Sequence, residues 1–418
     1  MRFLSTRFRE VRVVLRGFKG NARGCLICEP FWGIPYNLYA PYASIYMLAL
    51  GCTSLQIGII SSINMALCVF FSLVSGWVTD RLGRRRTSII FDLISWSVPT
   101  FLWGVAGGFP WFLAAAMVNS MSKVVQTSWT CLFVEDTEPG QRVHVYTWLS
   151  VVSIAVGLFA PLAGLVVGAF GLVPAVRGLY LFAFLSMTAM FIIRNALVRE
   201  TRIGLIKMEE SRNHRLGEVW ADYRKSFFLL FRSPTALIAV GISVLANIQN
   251  SLRTTFQSIL LVNGLKLPQA SIAVFPAVSS VVMLLVFLLV MPALSRKSLG
   301  ISLLGGLAAS ALGALALAVA PESGMLAAVL AIVVQAFGTA VSQPLIDTFL
   351  ANSIPEADRA KMMSIVYLIL YALSAPFGYV GGLLADLSPR LPLAFIAVSF
   401  LGSIALVLAL PRKGGQAA

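Results

Sequence analysis

Several long stretches of this sequence carry no charged side chain, and two of them serve as examples. Residues 149–176 and 275–295 contain no Asp, Glu, Lys or Arg. Each stretch is long enough to cross the hydrocarbon core of a bilayer, which takes roughly 20 apolar residues in a helix. Because backbone groups in hydrocarbon have no water to bond, such a stretch must satisfy its own hydrogen bonds as an α-helix. The strands of a membrane barrel would alternate apolar and polar residues, so they are excluded.

Composition extends this argument to the whole chain. Of 418 residues, 58% are hydrophobic and only 12% are charged, whereas a soluble domain has about 25% charged residues. Short segments with Gly and Pro, such as residues 107–110, separate the apolar windows. The windows predict an all-α membrane protein with twelve transmembrane helices, at about residues 27–50, 55–79, 87–107, 110–134, 143–169, 176–197, 234–262, 268–293, 299–319, 324–350, 362–385 and 391–410.

The basic residues are distributed unevenly between the two sides of the predicted helices. A net charge of +15 is compatible with nucleic-acid binding, but almost all of the 32 Lys and Arg residues lie in connections that share one side. The opposite connections hold only Arg177, Lys266 and Arg390. Because basic loops stay in the cytoplasm, we expect a multi-pass plasma-membrane protein with both termini cytoplasmic. No nucleic-acid partner is expected.

The two halves of the chain resemble each other. Residues 46–51 are matched by residues 259–264, and Asn37 by Asn250, at an offset of about 215 residues. A repeat with an even number of helices relates the halves by an axis along the membrane normal. The sequence therefore predicts two pseudo-symmetric six-helix bundles. The predicted segments are a basic cytoplasmic N-terminus at 1–24, bundles at 25–197 and 234–411, a cytoplasmic central loop at 198–233 and a cytoplasmic tail at 412–418.

Neither the N-terminal segment nor the five cysteines indicates processing or a metal site. Basic residues interrupt residues 1–24, which excludes a cleaved signal peptide, and the interleaved apolar residues predict an amphipathic helix on the inner membrane surface. Cys25 and Cys28 form a lone CxxC motif, and most other cysteines lie within apolar windows. We expect no disulfide framework, no metal and no cofactor.

The connection between the second and third predicted helices carries a specific motif. It reads Gly76-Trp-Val-Thr-Asp80-Arg81-Leu-Gly83-Arg84-Arg85. This resembles the loop signature of the major facilitator superfamily, Gly-x-x-x-Asp-Arg-x-Gly-Arg-Arg/Lys, and the helix count and repeat extend the resemblance over residues 25–411. The equivalent connection in the second half lacks both the Asp and the Gly. The resemblance implies a transporter that works by alternating access.

The residues of this motif are expected to form a cytoplasmic gate. Gly76 would allow close helix packing and Gly83 a tight turn. The resemblance implies that Asp80 meets the start of the eleventh predicted helix near Lys361, while the acidic pair ending the fourth helix meets the loop arginines. The expected gate residues are Gly76, Asp80, Arg81, Gly83, Arg84, Arg85, Glu135 and Asp136. The alternative is that residues 81–86 only follow the preference for basic cytoplasmic loops.

Three predicted helices carry candidate substrate-binding residues. Polar residues of the fourth and seventh helices repeat at three- and four-residue spacing, so each set shares a face that must look into protein or water. The first helix adds tyrosines, which suit amphipathic solutes, although an interfacial aromatic belt is the alternative for Tyr46 and Trp32. The resemblance places these helices around a cavity. The expected site comprises Tyr36, Asn37, Asn119, Lys123, Gln126, Asn250, Arg253 and Gln257.

Ionisable residues within apolar helices are the remaining candidates for function. Glu29, Asp92 and Asp347 are candidates for proton coupling, and structural ion pairing is an equal alternative for each. Asp92 is also a candidate partner for Lys123. The two central cations, Lys123 and Arg253, favour a substrate with negative charge, unless they are neutralised within the protein.

These patterns favour secondary transport over other functions. We expect proton-coupled movement of a small amphipathic or anionic solute, with export ahead of uptake. Uptake of a sugar or organic anion and flipping of a lipid or lysolipid stay open, and a channel or sensor forms a third class. The sequence has no Walker-type loop, metal cluster or catalytic triad, so no enzyme is expected. The expected partners are the small-molecule substrate, protons and membrane lipids, and the expected assembly is a monomer.

Overall fold

The computed structural model describes residues 20–211, 233–294, 298–354 and 359–409, and within these ranges the chain is helical without any β-strand. The long helices are labelled α1–α12 in chain order. The first half contains α1 (residues 20–49), α2 (Ser54–Leu82), α3 (residues 84–104), α4 (residues 109–134), α5 (residues 139–170) and α6 (Leu172–Leu197). A short linker helix, Arg202–Glu210, follows α6.

The second half also consists of long helices. It contains α7 (Pro234–Gly264), α8 (residues 269–294), α9 (Leu299–Ala318), α10 (Met325–Asn352), α11 (Arg359–Leu387) and α12 (Leu391–Leu408). Residues 1–19 of the predicted amphipathic N-terminus lie outside the described part of the chain. So do residues 212–232 of the predicted central loop and the predicted tail at 412–418.

Nine helices of the described residues, α2 and α5–α12, are long and apolar enough to cross a membrane. Many large apolar side chains on them face outward, including Leu165, Leu326 and Leu387, which are 71%, 72% and 78% exposed. Such an apolar exterior is unfavourable in water but suits the hydrocarbon of a bilayer. The chain is therefore a multi-pass membrane protein.

The other three long helices are interrupted, and so is α5, by a turn at residues 158–160. A 3₁₀ turn at Ala40–Tyr42 divides α1, a π-helical segment at Leu93–Ser97 divides α3, and a turn at residues 120–121 divides α4. A π-helical turn widens the helix and leaves a carbonyl free for other partners. The interruptions of α1, α3 and α4 lie in helices that carry many of the polar residues predicted from sequence.

Short-range chemistry explains the boundaries of α2. Thr53 accepts a hydrogen bond from the backbone N–H of Gln56, and the Gln56 side chain accepts one from the N–H of Thr53, which forms a capping box. At the other end, Gly83 has a φ of +85°, a conformation that residues with a Cβ rarely adopt. The tight turn predicted at Gly83 is thus confirmed.

Contacts between connections define two ends of the molecule. At one end, which we call the basic end, residues 80–86 meet residues 135–136 and 194–211. At the other, the far end, Arg177 donates to the carbonyl of Ala106 at 3.0 Å. Lys266 there lies 2.6 Å from Glu322, and this hydrogen bond lowers the pKa of the exposed Glu322 carboxyl.

The two halves contact each other through α2 with α11, α5 with α8, and α1 with α7. Glycines allow the first of these contacts, because a Cβ on Gly58 would collide with the carbonyl oxygen of Gly378. Nearby, the backbone N–H of Tyr379 donates to the Ser62 hydroxyl at 2.7 Å. This close approach lies in the part of α2 that begins at the far end.

Candidate functional site

A cavity of about 540 Å³ lies between the two halves, and we call it the aromatic cavity. It is lined by residues of α1–α4 and α6 from the first half and of α7 and α8 from the second. Tyr36 stacks on Trp32 with ring centroids 4.9 Å apart, and Trp96 meets both rings edge-on. Such rings offer a large apolar surface of fixed orientation. The aromatic residues on its wall are Tyr36, Tyr39, Trp96, Trp103, Phe112, Tyr180 and Phe275.

A second cavity of about 450 Å³, the polar cavity, lies within the second half. Its lining comes from α7, α8, α10, α11 and α12 and is rich in amides and hydroxyls, among them Asn247, Gln249, Asn250, Gln335, Thr339, Gln343, Tyr367 and Tyr371. Three residues line both cavities, namely Arg253, Gln257 and Ser279. The cavities therefore meet along the polar face of α7 that the sequence predicted.

Arg253 is the central charged group of this region. Its guanidinium donates to the Asn250 amide oxygen at 2.9 Å, and no carboxylate of the described residues lies within 4.0 Å of it. The aromatic cavity has no other charged residue in its lining, and the polar cavity adds only Asp347. A cation in this position attracts an anion into the cavities, because the surrounding protein screens charge less than water does.

Lys123 connects the halves near the middle of α4. Its ammonium donates to the Tyr371 hydroxyl at 2.7 Å and to the Gln126 amide oxygen at 3.3 Å. It also lies 4.4 Å from the centre of the Tyr371 ring, a cation–π contact. Like Arg253, it has no carboxylate of the described part of the chain within 4.0 Å. Neither Lys123 nor Gln126 is part of the lining of the two cavities.

The other predicted substrate residues do line the cavities. The aromatic cavity is lined by Tyr36, Asn37 and Asn119, the polar cavity is lined by Asn250, and Gln257 lines both. The amide nitrogens of the first two asparagines are already used. Asn37 donates to the Gly33 carbonyl at 2.8 Å, and Asn119 donates to the carbonyl of Ser95 within the π-helical segment of α3. Their amide oxygens, and the second N–H of each amide, are the groups left to face a ligand.

The predicted carboxylates lie in different environments. Asp92 is 2% exposed and pairs with Arg194 on α6, which is 5% exposed. The expected pairing of Asp92 with Lys123 is wrong, because Arg194 reaches the carboxylate while Lys123 turns towards Tyr371. Asp347 lines the polar cavity and accepts a hydrogen bond from Gln343 at 3.2 Å. Glu29 on α1 is half-buried and lines neither cavity.

An ion-pair network at the basic end is centred on Arg84. This side chain is almost fully buried and bridges Asp80, at 2.8 Å, and Glu135, at 3.2 Å. The Thr201 hydroxyl also donates to Glu135. The predicted pairing of Glu135 with a loop arginine is confirmed. The second predicted acid, Asp136, instead accepts from the Asn21 amide at 3.2 Å, because α1 begins beside it.

Two further expectations for the gate have separate outcomes. A Cβ on Gly76 would meet no atom within 4 Å among the described residues, so the close packing expected at Gly76 stays a prediction. Arg81 lies over the Trp77 ring at 5.1 Å. The side chain of Lys361, the expected partner of Asp80, is outside the described part of the structure.

Comparison with known proteins decides the family. The family model described as Major Facilitator Superfamily matches residues 31–330. The chain belongs to the Major Facilitator Superfamily. No curated protein matches it significantly in sequence. Family membership makes the chain a membrane transporter and not an enzyme.

Solved superfamily transporters share its fold. The chain is similar to a mutant of the nucleoside transporter NupG, with 16% identity and a TM-score of 0.73 over 93% of this chain and 98% of that one. It is also similar to a POT family transporter in complex with 5-aminolevulinic acid, with 15% identity and a TM-score of 0.70 over 92% and 94% of the two chains. At such low identity these likenesses describe the fold alone.

Two charged residues of this superfamily member were not singled out from sequence. Arg194 lies within the predicted sixth helix but was counted only with the basic residues on the cytoplasmic side, and the structure buries it near the end of α6. Glu200 accepts hydrogen bonds from the backbone N–H groups of Arg84 and Arg85, at 2.9 and 3.0 Å, where α3 begins. A carboxylate at a helix N-terminus satisfies unpaired N–H groups and complements the helix dipole. The sequence signal that could have singled out Glu200 is an acidic residue shortly after the end of the predicted sixth helix.

Proposed function

We propose that the protein is a secondary active transporter that moves a small amphipathic anion by alternating access. The observation that carries this proposal is the position of Arg253, which lines both cavities without a carboxylate partner among the described residues. Burying a cation is costly unless an opposite charge accompanies it. An anionic substrate supplies that charge, and the aromatic wall beside it accepts an apolar body.

The proposed architecture has twelve transmembrane helices in two six-helix bundles. It adds α1, α3 and α4, which cross the membrane as interrupted helices, to the nine apolar helices. The excess of basic residues at one end supports a cytoplasmic location for that end in the plasma membrane. In this orientation both termini are cytoplasmic, the Arg84 network is the cytoplasmic gate, and the protein acts as a monomer.

Proton coupling is assigned to Asp347 in this proposal. It is the carboxylate of the polar-cavity lining, whereas Asp92 is paired with Arg194 and Glu29 lies away from both cavities. A carboxylate that opens to a cavity exchanges protons with water in one state and is desolvated in the other. Export in exchange for protons is the proposed direction, because the aromatic wall suits amphipathic compounds that enter from the inner side.

Substitution of Arg253 tests whether the substrate is an anion. We expect Arg253→Gln to weaken binding of an amphipathic carboxylate by about 10- to 100-fold, because a hydrogen bond to a charged group contributes roughly 1.5–3 kcal/mol. Binding to purified protein and uptake into proteoliposomes provide the measurements. Lys266→Gln is the matched control, since this cation is 63% exposed at the far end.

The result that contradicts the proposal is equally definite. If Arg253→Gln binds anionic, neutral and cationic solutes of one size as the parent does, the substrate is not an anion held by this residue. Arg253→Lys should recover part of the affinity, because it restores the charge but not the paired donors of the guanidinium.

A further inference from the structure

The two cavities that meet at Arg253 are lined by unlike groups. One wall of the junction is formed by aromatic rings, and its lining carries no charge besides Arg253. The other wall is formed by amides and hydroxyls. A ligand that fills both cavities must itself have two unlike parts. Its charged group must then lie between them, at Arg253.

Each cavity also contains a buried donor without a hydrogen-bond partner in the described part of the chain. The Tyr39 hydroxyl belongs to the aromatic cavity and the Gln335 amide nitrogen to the polar cavity. The two residues are 4% and 3% exposed. Because an unpaired buried donor is unfavourable, each of these side chains gains a hydrogen bond when its donor turns towards a ligand acceptor in the cavity that the residue lines.

We propose that the substrate is an aromatic acid with a second, uncharged amide arm, of the type of an N-acylated aromatic amino acid. The ring lies in the aromatic cavity, the carboxylate pairs with Arg253, and the amide carbonyl accepts from Gln335. This assignment rests on the proposed function and names its substrate class. Both cavities fall within the size range of small-molecule sites.

The hydrogen bonds already made by residues of the polar lining favour an amide arm over a cationic arm. The carboxylate of that lining, Asp347, already accepts a hydrogen bond from Gln343, whereas the Gln335 nitrogen lacks an acceptor. An ammonium group has only donors and cannot satisfy an amide nitrogen. An acyl carbonyl does so directly.

Four probes that differ by one group test the class on the purified full-length protein. N-acetyltryptophan contains all three parts, indole-3-propionate lacks the amide, N-acetylleucine lacks the ring, and N-acetyltryptophanamide lacks the charge. We expect N-acetyltryptophan to bind at least about tenfold more tightly than each of the others, a factor that one good hydrogen bond or ring contact accounts for.

The outcomes separate this inference from the proposed function. Equal binding of indole-3-propionate and N-acetyltryptophan overturns the amide arm but leaves an anion transporter. Tighter binding of tryptophan, which carries an ammonium group, also overturns it. Tighter binding of the uncharged N-acetyltryptophanamide than of the three acids overturns the proposed function itself.

A variant gives a second test. Gln335→Met keeps the size of the side chain and removes the unpaired donor, so we expect unchanged thermal stability without ligand. Affinity for N-acetyltryptophan should fall about fivefold, while that for indole-3-propionate should not change. Ser302→Ala is the matched control, because the Ser302 hydroxyl is also buried and unpaired among the described residues but lines neither cavity. Equal losses for both probes contradict the proposal, and so does no loss for N-acetyltryptophan.

Discussion

At the scale of single residues, the position of a charge along the chain predicted its partner poorly. The sequence placed both Asp92 and Arg194 within predicted helices, but Arg194 was counted only with the cytoplasmic basic residues and was not offered as the partner of Asp92. In the structure α6 extends past Arg194, and the two buried side chains neutralise each other. Periodicity gives the face of a helix. It does not give the neighbouring helix, which decides whether an ion pair forms.

The Asp92–Arg194 pair leads to a prediction about stability. Arg194→Gln leaves a buried carboxylate without a counter-charge, and removing one member of a buried pair costs about 3–5 kcal/mol. We expect a large decrease in the thermal unfolding temperature of the purified protein. The double variant Asp92→Asn/Arg194→Gln should recover much of it, because neither charge is left alone. A single variant as stable as the parent would show that water reaches this site.

At the scale of helices, apolar windows predicted where helices lie but not where they are interrupted. The capping box of α2 and the turn at Gly83 depend on residues close in sequence, so the sequence alone is enough to indicate them. The role of a glycine depends on what faces it. Gly76 belongs to a recognisable motif yet has no described atom packed against it, whereas Gly58 carries the contact between α2 and α11 and was not singled out.

These two glycines provide a matched pair of substitutions on one helix. We expect Gly58→Ala to lower thermal stability and slow transport, because its Cβ would collide with the Gly378 carbonyl and separate α2 from α11. Gly76→Ala should be neutral or slightly stabilising, since alanine is favoured over glycine within helices by roughly 0.5–1 kcal/mol. Thermal unfolding and proteoliposome uptake measure both. Equal effects would mean that the α2–α11 contact does not limit the transport cycle.

At the scale of the whole molecule, the contacts that join the halves within the described residues are found mainly at the far end. Gly58 meets Gly378 there on one flank, and Tyr42 of α1 contacts the Ala270 carbonyl of α8 on the other. By contrast, the Arg84 network at the basic end connects α2, α3 and α4 of the first half with the residues that follow α6. We infer that this conformation closes the far end and opens the polar cavity towards the basic end.

Accessibility from each side of the membrane tests this conformation together with the proposed orientation. Single cysteines replace Met363, which lines the polar cavity, and Lys266 at the far end, in a background without the five native cysteines. A membrane-impermeant maleimide should label Met363→Cys in inside-out vesicles and Lys266→Cys in intact cells. Because alternating access exchanges the two openings, N-acetyltryptophan should change the labelling rate of Met363→Cys but not that of Lys266→Cys. Labelling of Met363→Cys only from outside would reverse the orientation. If Met363→Cys is labelled from neither side, this cavity does not open to water. Alternating access requires that it does open.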